Sequence, residues 1–269
     1  MRQRELEPSA SVPAYFGAEL RRLRKLSGLS QEELGAKINY TGALVSMIEM
    51  ALRTPSLQFA EMCDRVLETD GTLTRLWPLV IKTIYPIWFQ GFVELEATAT
   101  AIFTFNPQNV DGLLQTEDYA RAVLQAASWS EDVEQRVAAR LERQKLLEHP
   151  ARPLVWAILD EAVLRRPVGG RDVLRGQLKR LAELATLRRI VLQILPFSAG
   201  EHACMDGAMT IMSFSDGPDE VYIEGPGTAQ LISRQSDVET CRLRYDLAKA
   251  VALSPAASVE MIMVMMEET

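Results

Sequence analysis

Cysteine, histidine and any excess of positive charge are what this chain lacks. Of its 269 residues only three are cysteine and two are histidine. Cys63, Cys204 and Cys241 are odd in number and widely spaced, which argues against a disulfide framework or a zinc ribbon and suits a reducing cytoplasm. No Ser-His-Asp set can be assembled around either histidine. His202 and Cys204 alternate as strand neighbours would, but two ligands do not make a metal site. The longest apolar runs, such as "IVLQIL", fall far short of the ~20 residues that span a bilayer. The formal net charge is -7, yet residues 1–80 carry ten Lys/Arg against ten Asp/Glu, so all the acidity lies in residues 81–269. Attraction of the whole chain to nucleic acid is thereby excluded, and only a local patch can serve. The opening "MRQRELEPSASVPA" has no hydrophobic core, so residues 1–14 are expected to be a disordered arm rather than a signal peptide.

What is present is a soluble globular composition, 48% hydrophobic and 24% charged, in a length that suits a small domain followed by a larger one. From residue 15 to 80 the apolar spacing is helical and comes in short pieces. Leu20 and Leu23, with Leu26 as a candidate third member, form one stripe; Leu34 and Ile38 form another; Val45 and Ile48 form a third. "SGLS" and "NYTG" interrupt them with turn-forming residues. Two further helices are expected at "SLQFAEMCDRVLE" and "TLTRLWPLVIK", giving five around one core. Residues 81–97 read as an aromatic-rich connecting segment. Beyond it, residues 98–269 mix the two periods. "ATAIFTF", "PLVWAILD" and "IVLQILPF" have strand length, and "GAMTIMSF" with "EVYIEG" suggests a hairpin across "SDGPD". Helices are expected at "TEDYARAVLQAA", capped by Thr116, and at "SEDVEQRVAARLERQKLLE" and "GRDVLRGQLKRLAELAT". Two more close the chain. The fold class is therefore multi-domain: an all-α N-terminal domain and an α+β domain with a small mixed or antiparallel sheet.

Ser30 followed by Glu33 forms a capping box, which fixes a helix start. Gln31 sits in the first turn, where its amide and nearby backbone N–H groups can meet a phosphate. Gly35 and Ala36 are small enough to let a second helix cross closely. "GLSQEELGAKI" and "VSMIE…RTPS" together resemble the Cro/repressor, or XRE, class of helix-turn-helix domains over residues 15–80. The resemblance implies a positioning helix at 30–38, a recognition helix at 41–50 and a buried ion pair between Arg24 and Glu49; plain surface charge is the alternative for that pair. It also implies that double-stranded operator DNA is the partner and that bases are read from Gly42, Ala43 and Met47. None of these three can make the bidentate contacts that carry most base discrimination. Ala43 and Met47 can touch a thymine methyl, while Thr41 and Ser46 can bond phosphate or base. Family members commonly carry a glycine and cations after this helix; here stand Met50, Ala51 and Leu52, followed by Arg53. Lys37 and the run "RRLRK" supply the remaining basic charge, and the run is equally well read as a solvated helix face. Two accounts stay open: weak DNA binding through phosphate and methyl contacts, or a surface with Met47, Met50 and Leu52 turned to a protein partner.

The segments "GLLQTEDYARAVL", "VEQRVAARLERQKLL", "ILDEAVLRRPVGG", "QLKRLAELA", "ILPFSAGEHACMDGAMTIMSF" and "VYIEG" recur in order in another group. Over residues 95–265 they resemble the C-terminal domain of actinobacterial WhiJ-like, antitoxin-like transcription factors. That resemblance implies a cytoplasmic regulator, a homodimer, and a small partner protein encoded nearby. Asp111 departs from it, since relatives generally carry proline before "GLLQT". Asp160 and Glu161 lack a second carboxylate or nucleophile beside them, and "PVGG" and "EGPGTAQ" lack phosphate-cradle spacing. Catalysis, cofactor, metal and membrane are accordingly not expected.

Overall fold

The computed structural model describes residues 7–83, 85, 87–127, 133–149, 152–225 and 228–269. The chain divides into two compact units, residues 1–87 and 88–269.

The first unit is helical: α1 (Val12–Leu26), α2 (Gln31–Lys37), α3 (Gly42–Glu49), α4 (Leu57–Leu67) and α5 (Thr72–Lys82). Four of the five helices begin on a hydroxyl cap: Ser11 accepts from Ala14 N, Ser30 from Glu33 N, Thr41 from Leu44 N and Ser56 from Phe59 N. Each satisfies an amide that the first turn leaves without a partner. Helix α1 thus starts at Val12, inside the stretch expected to be arm, and Pro13 near its start suits the fixed φ of an opening turn. Of that arm, residues 1–6 lie outside the described residues. Phe16, Leu20, Leu34, Ile38, Val45, Ile48, Phe59 and Leu73 make one shared core. Leu26 is not part of it, being 72% exposed.

Helix α5 is capped from a distance. Asp64, on α4, accepts from Leu73 N at 2.9 Å and Thr74 N at 2.7 Å, and also from the Thr69 hydroxyl. Burial works to raise the Asp64 pKa, but these hydrogen bonds outweigh it and hold the carboxyl below the ordinary range.

The second unit opens with α6 (Ile87–Thr98), which occupies most of the expected connecting segment and is a helix with Phe92 buried against Tyr222 at 4.3 Å between ring centroids. A six-stranded mixed sheet follows, in the order β3-β2-β1-β4-β5-β6. Its strands are β1 (Ala101–Asn106), β2 (Leu154–Asp160), β3 (Ile190–Leu195), β4 (Met209–Ser213), β5 (Glu220–Gly225) and β6 (Thr228–Ile232). Strands β1, β2 and β3 are parallel, and the remaining pairs are antiparallel. Parallel neighbours need long crossovers. Helices α7 (Glu117–Ala127) and α8 (Val133–Gln144) lie between β1 and β2, while α9 (Glu161–Arg165) and α10 (Arg171–Leu184) lie between β2 and β3. The chain ends in α11 (Gln235–Val251) and α12 (Pro255–Glu268). Apolar side chains line both faces of the central strands. Val155, Ala157 and Leu159 join α10 and α12 in one core, whereas Ile158 joins Val238 and Tyr245 of α11 in another. Burial on both faces is why "PLVWAILD" and "IVLQILPF" read as unbroken apolar runs.

The segments that carried the second resemblance converge on "GLLQT". Gln177 of α10 accepts from Thr116 N at 2.7 Å and donates to Leu114 O at 2.9 Å. Gln144 of α8 donates to Gly112 O and Gln115 O, both at 2.8 Å, and Arg140 donates to Gln115 Oε1 at 2.9 Å. Asp111 starts the loop by accepting from Leu113 N at 2.8 Å. Burial first, and the Glu96 charge second, push its carboxyl pKa up.

Two expectations change here. His202 and Cys204 lie in a turn between β3 and β4, not on a strand, and His202 Nδ1 accepts from Cys204 N at 3.2 Å. The "TAQ" of "EGPGTAQ" is strand β6 rather than loop; Pro226 and Gly227 lie outside the described residues. Asp160 caps α9 through Ala162 N, and Glu161 is buried between Arg165 and the Phe197 N–H. Both carboxylates serve the fold.

For a fragment comprising the first unit, Asp64→Ala should cost about 2–3 kcal/mol at pH 7, because two helix amides lose a charged acceptor. The depressed pKa makes this contribution complete above the unfolded value of about 3.9 and lost as pH falls through the folded value. Urea unfolding at pH 7 and below pH 4 should therefore show the gap between variant and wild type narrowing in acid.

Candidate nucleic-acid interface

Helix α3 is held from its C-terminal end by one buried carboxylate. Glu49, 0% exposed, accepts from Arg24 Nε at 2.5 Å and Arg24 Nη2 at 2.9 Å, a two-pronged pairing. Gln31 Nε2 donates to Glu49 Oε2 at 2.8 Å, and Arg21 Nε lies 3.4 Å from the same oxygen. Arg24 also donates to Leu29 O at 2.8 Å, in the turn before α2. One carboxylate thereby ties α1 and the start of α2 to the end of α3. Arg21 and the side chain of Gln31 were not legible as part of this cluster. Gln31, expected at a phosphate, uses one of its two amide N–H groups on Glu49.

Two glycines permit the close helix approach. A Cβ at Gly17 would come within 2.6 Å of Ile48 O, and one at Gly35 within 2.8 Å of Gly42 N. Gly42 itself lies against the backbone of Glu32, where a Cβ would meet Glu32 Cα at 2.9 Å. Its place at the start of α3 is thus explained by packing against α2. Gly17 gave a readable signal: a glycine in the interior of a helix is costly unless another backbone comes near.

The remaining positions fall where the helix period puts them. Thr41, Ala43 and Met47 are exposed, Met47 by 36%; Ser46 is half-buried, as is Met50, which had been expected on the open surface. Thr41 Oγ1 accepts from Leu44 N at 3.2 Å, so its hydroxyl proton remains available to an external acceptor. Lys37, the last residue of α2, is exposed, as are Leu52 (62%) and Arg53 beyond α3. Among the described residues neither Lys37, Arg53 nor Lys25 forms an ion pair, whereas Arg22 is paired with Glu19 at 2.6 Å. The open face therefore carries two methyl-bearing side chains and a hydroxyl, with cations at its margins.

Helix α3 ends in a Schellman arrangement, with Ala51 N bonded to Ile48 O at 3.0 Å and Leu52 N to Met47 O at 2.9 Å. Ala51 takes the left-handed conformation this needs, φ 53°, at a place that glycine fills without strain. Asn39 closes α2 in the same way at φ 58°.

The second unit has a cleft of about 240 Å³ lined by Cys204, Met209, Ile223, Thr240, Cys241 and Arg244. That is below the ~300–1,000 Å³ of typical small-molecule sites. Burial pushes the Cys204 thiol up to about 11, so it stays protonated. Among the described residues no single helix is long and apolar enough to cross a membrane.

Residues 16–77 match a helix-turn-helix domain, and residues 89–263, well over half of the chain, match a domain of unknown function, DUF5753. No curated protein and no solved structure matches the chain.

Two substitutions test the geometry of α3 in opposite directions. Glu49→Ala leaves Arg24 buried without its partner and should cost about 3–5 kcal/mol, against less than ~1 kcal/mol for a surface pair. Ala51→Gly should stabilise by about 1 kcal/mol by relieving the left-handed alanine. Urea unfolding of the first unit measures both.

Proposed function

Since the chain belongs to the DUF5753 family and carries a helix-turn-helix domain ahead of that region, we propose that it is a transcription regulator that docks α3 in the major groove of operator DNA. The observation that carries the reading is the exposed row Thr41, Ala43 and Met47 on a helix fixed by Glu49. Ala43 and Met47 contact thymine methyl groups, Thr41 donates to phosphate or base, and Lys37 and Arg53 neutralise phosphates. Two copies of the chain read two half-sites. Discrimination between sites is shallow, because no side chain on the face can form a bidentate pair with a base.

The acidic second unit is, in this reading, the receiver of a signal. Its ordered resemblance to antitoxin-like, WhiJ-like regulators supports a small protein encoded nearby as partner, acting in the cytoplasm. No catalytic step is assigned to it: Asp160 and Glu161 are committed to helix α9 and its surroundings. A second reading, in which α3 docks a protein instead of DNA, is favoured by the exposure of Met47 and Leu52.

Binding measured against salt separates the two. Each neutralised phosphate contributes roughly 0.9 to the slope of log affinity against log salt. Two cations per subunit in a dimer give a slope of about -3.6, shallow beside ~-10 for a strongly cationic repressor. Leu52→Arg should raise affinity on all sequences alike and steepen the slope by about 0.9 per subunit. Met47→Gln should sharpen preference at one base pair by about 1–3 kcal/mol. If Leu52→Arg moves neither affinity nor slope, the surface does not face DNA. Co-expression with neighbouring small open reading frames tests the partner: one of them should co-purify and change DNA affinity, and retention of none defeats that half of the reading.

A further inference from the structure

The two edges of the sheet are treated differently. At the β3 edge the main chain of Ile194 is fully engaged, its N–H donating to Ser258 Oγ at 2.9 Å and its carbonyl accepting from Leu253 N at 2.8 Å. Gln193 Nε2 adds a bond to Leu253 O at 2.8 Å. The turn between α11 and α12 thus straps that edge shut. At the other edge, β6 pairs with β5 alone, and among the described residues its main chain makes no bond outside that pairing. Its sequence, "TAQLI", holds no charge, no proline and no glycine. Folded proteins normally blunt a free edge with lysine, proline, a bulge or a covering segment. Among the described residues β6 shows none of these, although the opposite edge of the same sheet is covered. Leu231 is left 37% exposed beside it.

We propose that β6 is an interface between two copies of this chain, paired antiparallel about a two-fold axis through Gln230. The strand is self-complementary in that register. Outward-facing main-chain groups alternate along an edge strand, and with Gln230 opposite its own mate, outward residues meet outward residues. Side chains on one face keep the period of two. Leu231 of one copy then lies opposite Ala229 of the other, and Ile232 opposite Thr228, so each large apolar side chain meets a small one. The contact is isologous and closes at two chains. A parallel pairing or a shift by two residues loses this match of large to small. A strand contributed by a different protein has nothing in the structure to specify it, whereas the second copy supplies its own register. A contact built on one five-residue strand is small beside a standard interface, so the dimer is expected to be reversible over micromolar concentrations. The proposal concerns the second unit only and stands apart from the DNA-binding reading.

The test is sedimentation of the full chain without DNA, from about 1 to 100 µM. Wild type should pass from the 30.1 kDa monomer to twice that mass with concentration. Gln230 is exposed, so Gln230→Lys and Gln230→Glu should keep the wild-type thermal midpoint. Each places like charges opposite one another at the axis and should weaken the dimer by up to about fivefold. Mixing the two variants should restore it, because lysine then faces glutamate. A wild type that stays monomeric throughout overturns the proposal and leaves the edge to a different protein. Dimerisation unchanged in both variants places the interface elsewhere, and failure of the mixture to recover rejects the two-fold register.

Discussion

A carboxylate sealed from water at the end of α3 must have its charge answered, and the way it is answered shapes the first unit. Glu49 takes donors from Arg24, Gln31 and Arg21, three residues on two other helices. Removing any one of them leaves the others to carry a buried charge, so the three helices can move only together. The close contacts at Gly17 and Gly35 serve the same end, since the donors reach Glu49 only when the helix backbones nearly touch. The exposed face of α3 inherits its orientation from this cluster. Whatever it meets, it meets as a rigid surface.

The second unit solves a similar problem with amide side chains and a buried ion pair. The loop at 112–116 has few main-chain partners of its own, and the amides of Gln144 and Gln177 supply what regular structure does not. Arg143, stacked near Phe89 and Phe92, locks Glu96 of α6 onto α8 with two bonds of 2.7 Å. These buried polar side chains sit in the segments that resemble other regulators, which explains why the residues there are glutamine and arginine rather than apolar. On the same side of the sheet, Phe92 of α6 packs against Tyr222 of β5.

What was legible in the sequence was what short-range chemistry decides. Ser30 with Glu33 announces a helix start because a cap and its amide lie three residues apart. The apolar stripes gave the five helices, and the strand-length runs gave five of the six strands. Strand β6 was hidden because "TAQLI" is half polar and follows a glycine and a proline, so no period identifies it. The α5 cap was hidden because Asp64 lies nine and ten residues from the amides it serves. At the candidate site the pairing of Arg24 with Glu49 followed from a resemblance, whereas the fate of Gln31 depended on distance in space. Gly42 was read as a missing contact to DNA; its reason lies in Glu32, visible only once two helices are packed.

The strand order also fixes when each part of the molecule can form. The first unit is made of helices whose partners lie close in sequence, an arrangement that folds in microseconds to milliseconds. Strand β1 instead sits between β2, some fifty residues later, and β4, more than a hundred residues later. Its apolar run "AIFTF" leaves the ribosome long before either neighbour exists. The helical unit can therefore complete itself while the centre of the sheet is still waiting, and the interval is one in which an unpaired hydrophobic strand needs shielding. Synthesis of this chain thus separates into a fast event and a slow one, with the slow one governed by the arrival of residues 209–213.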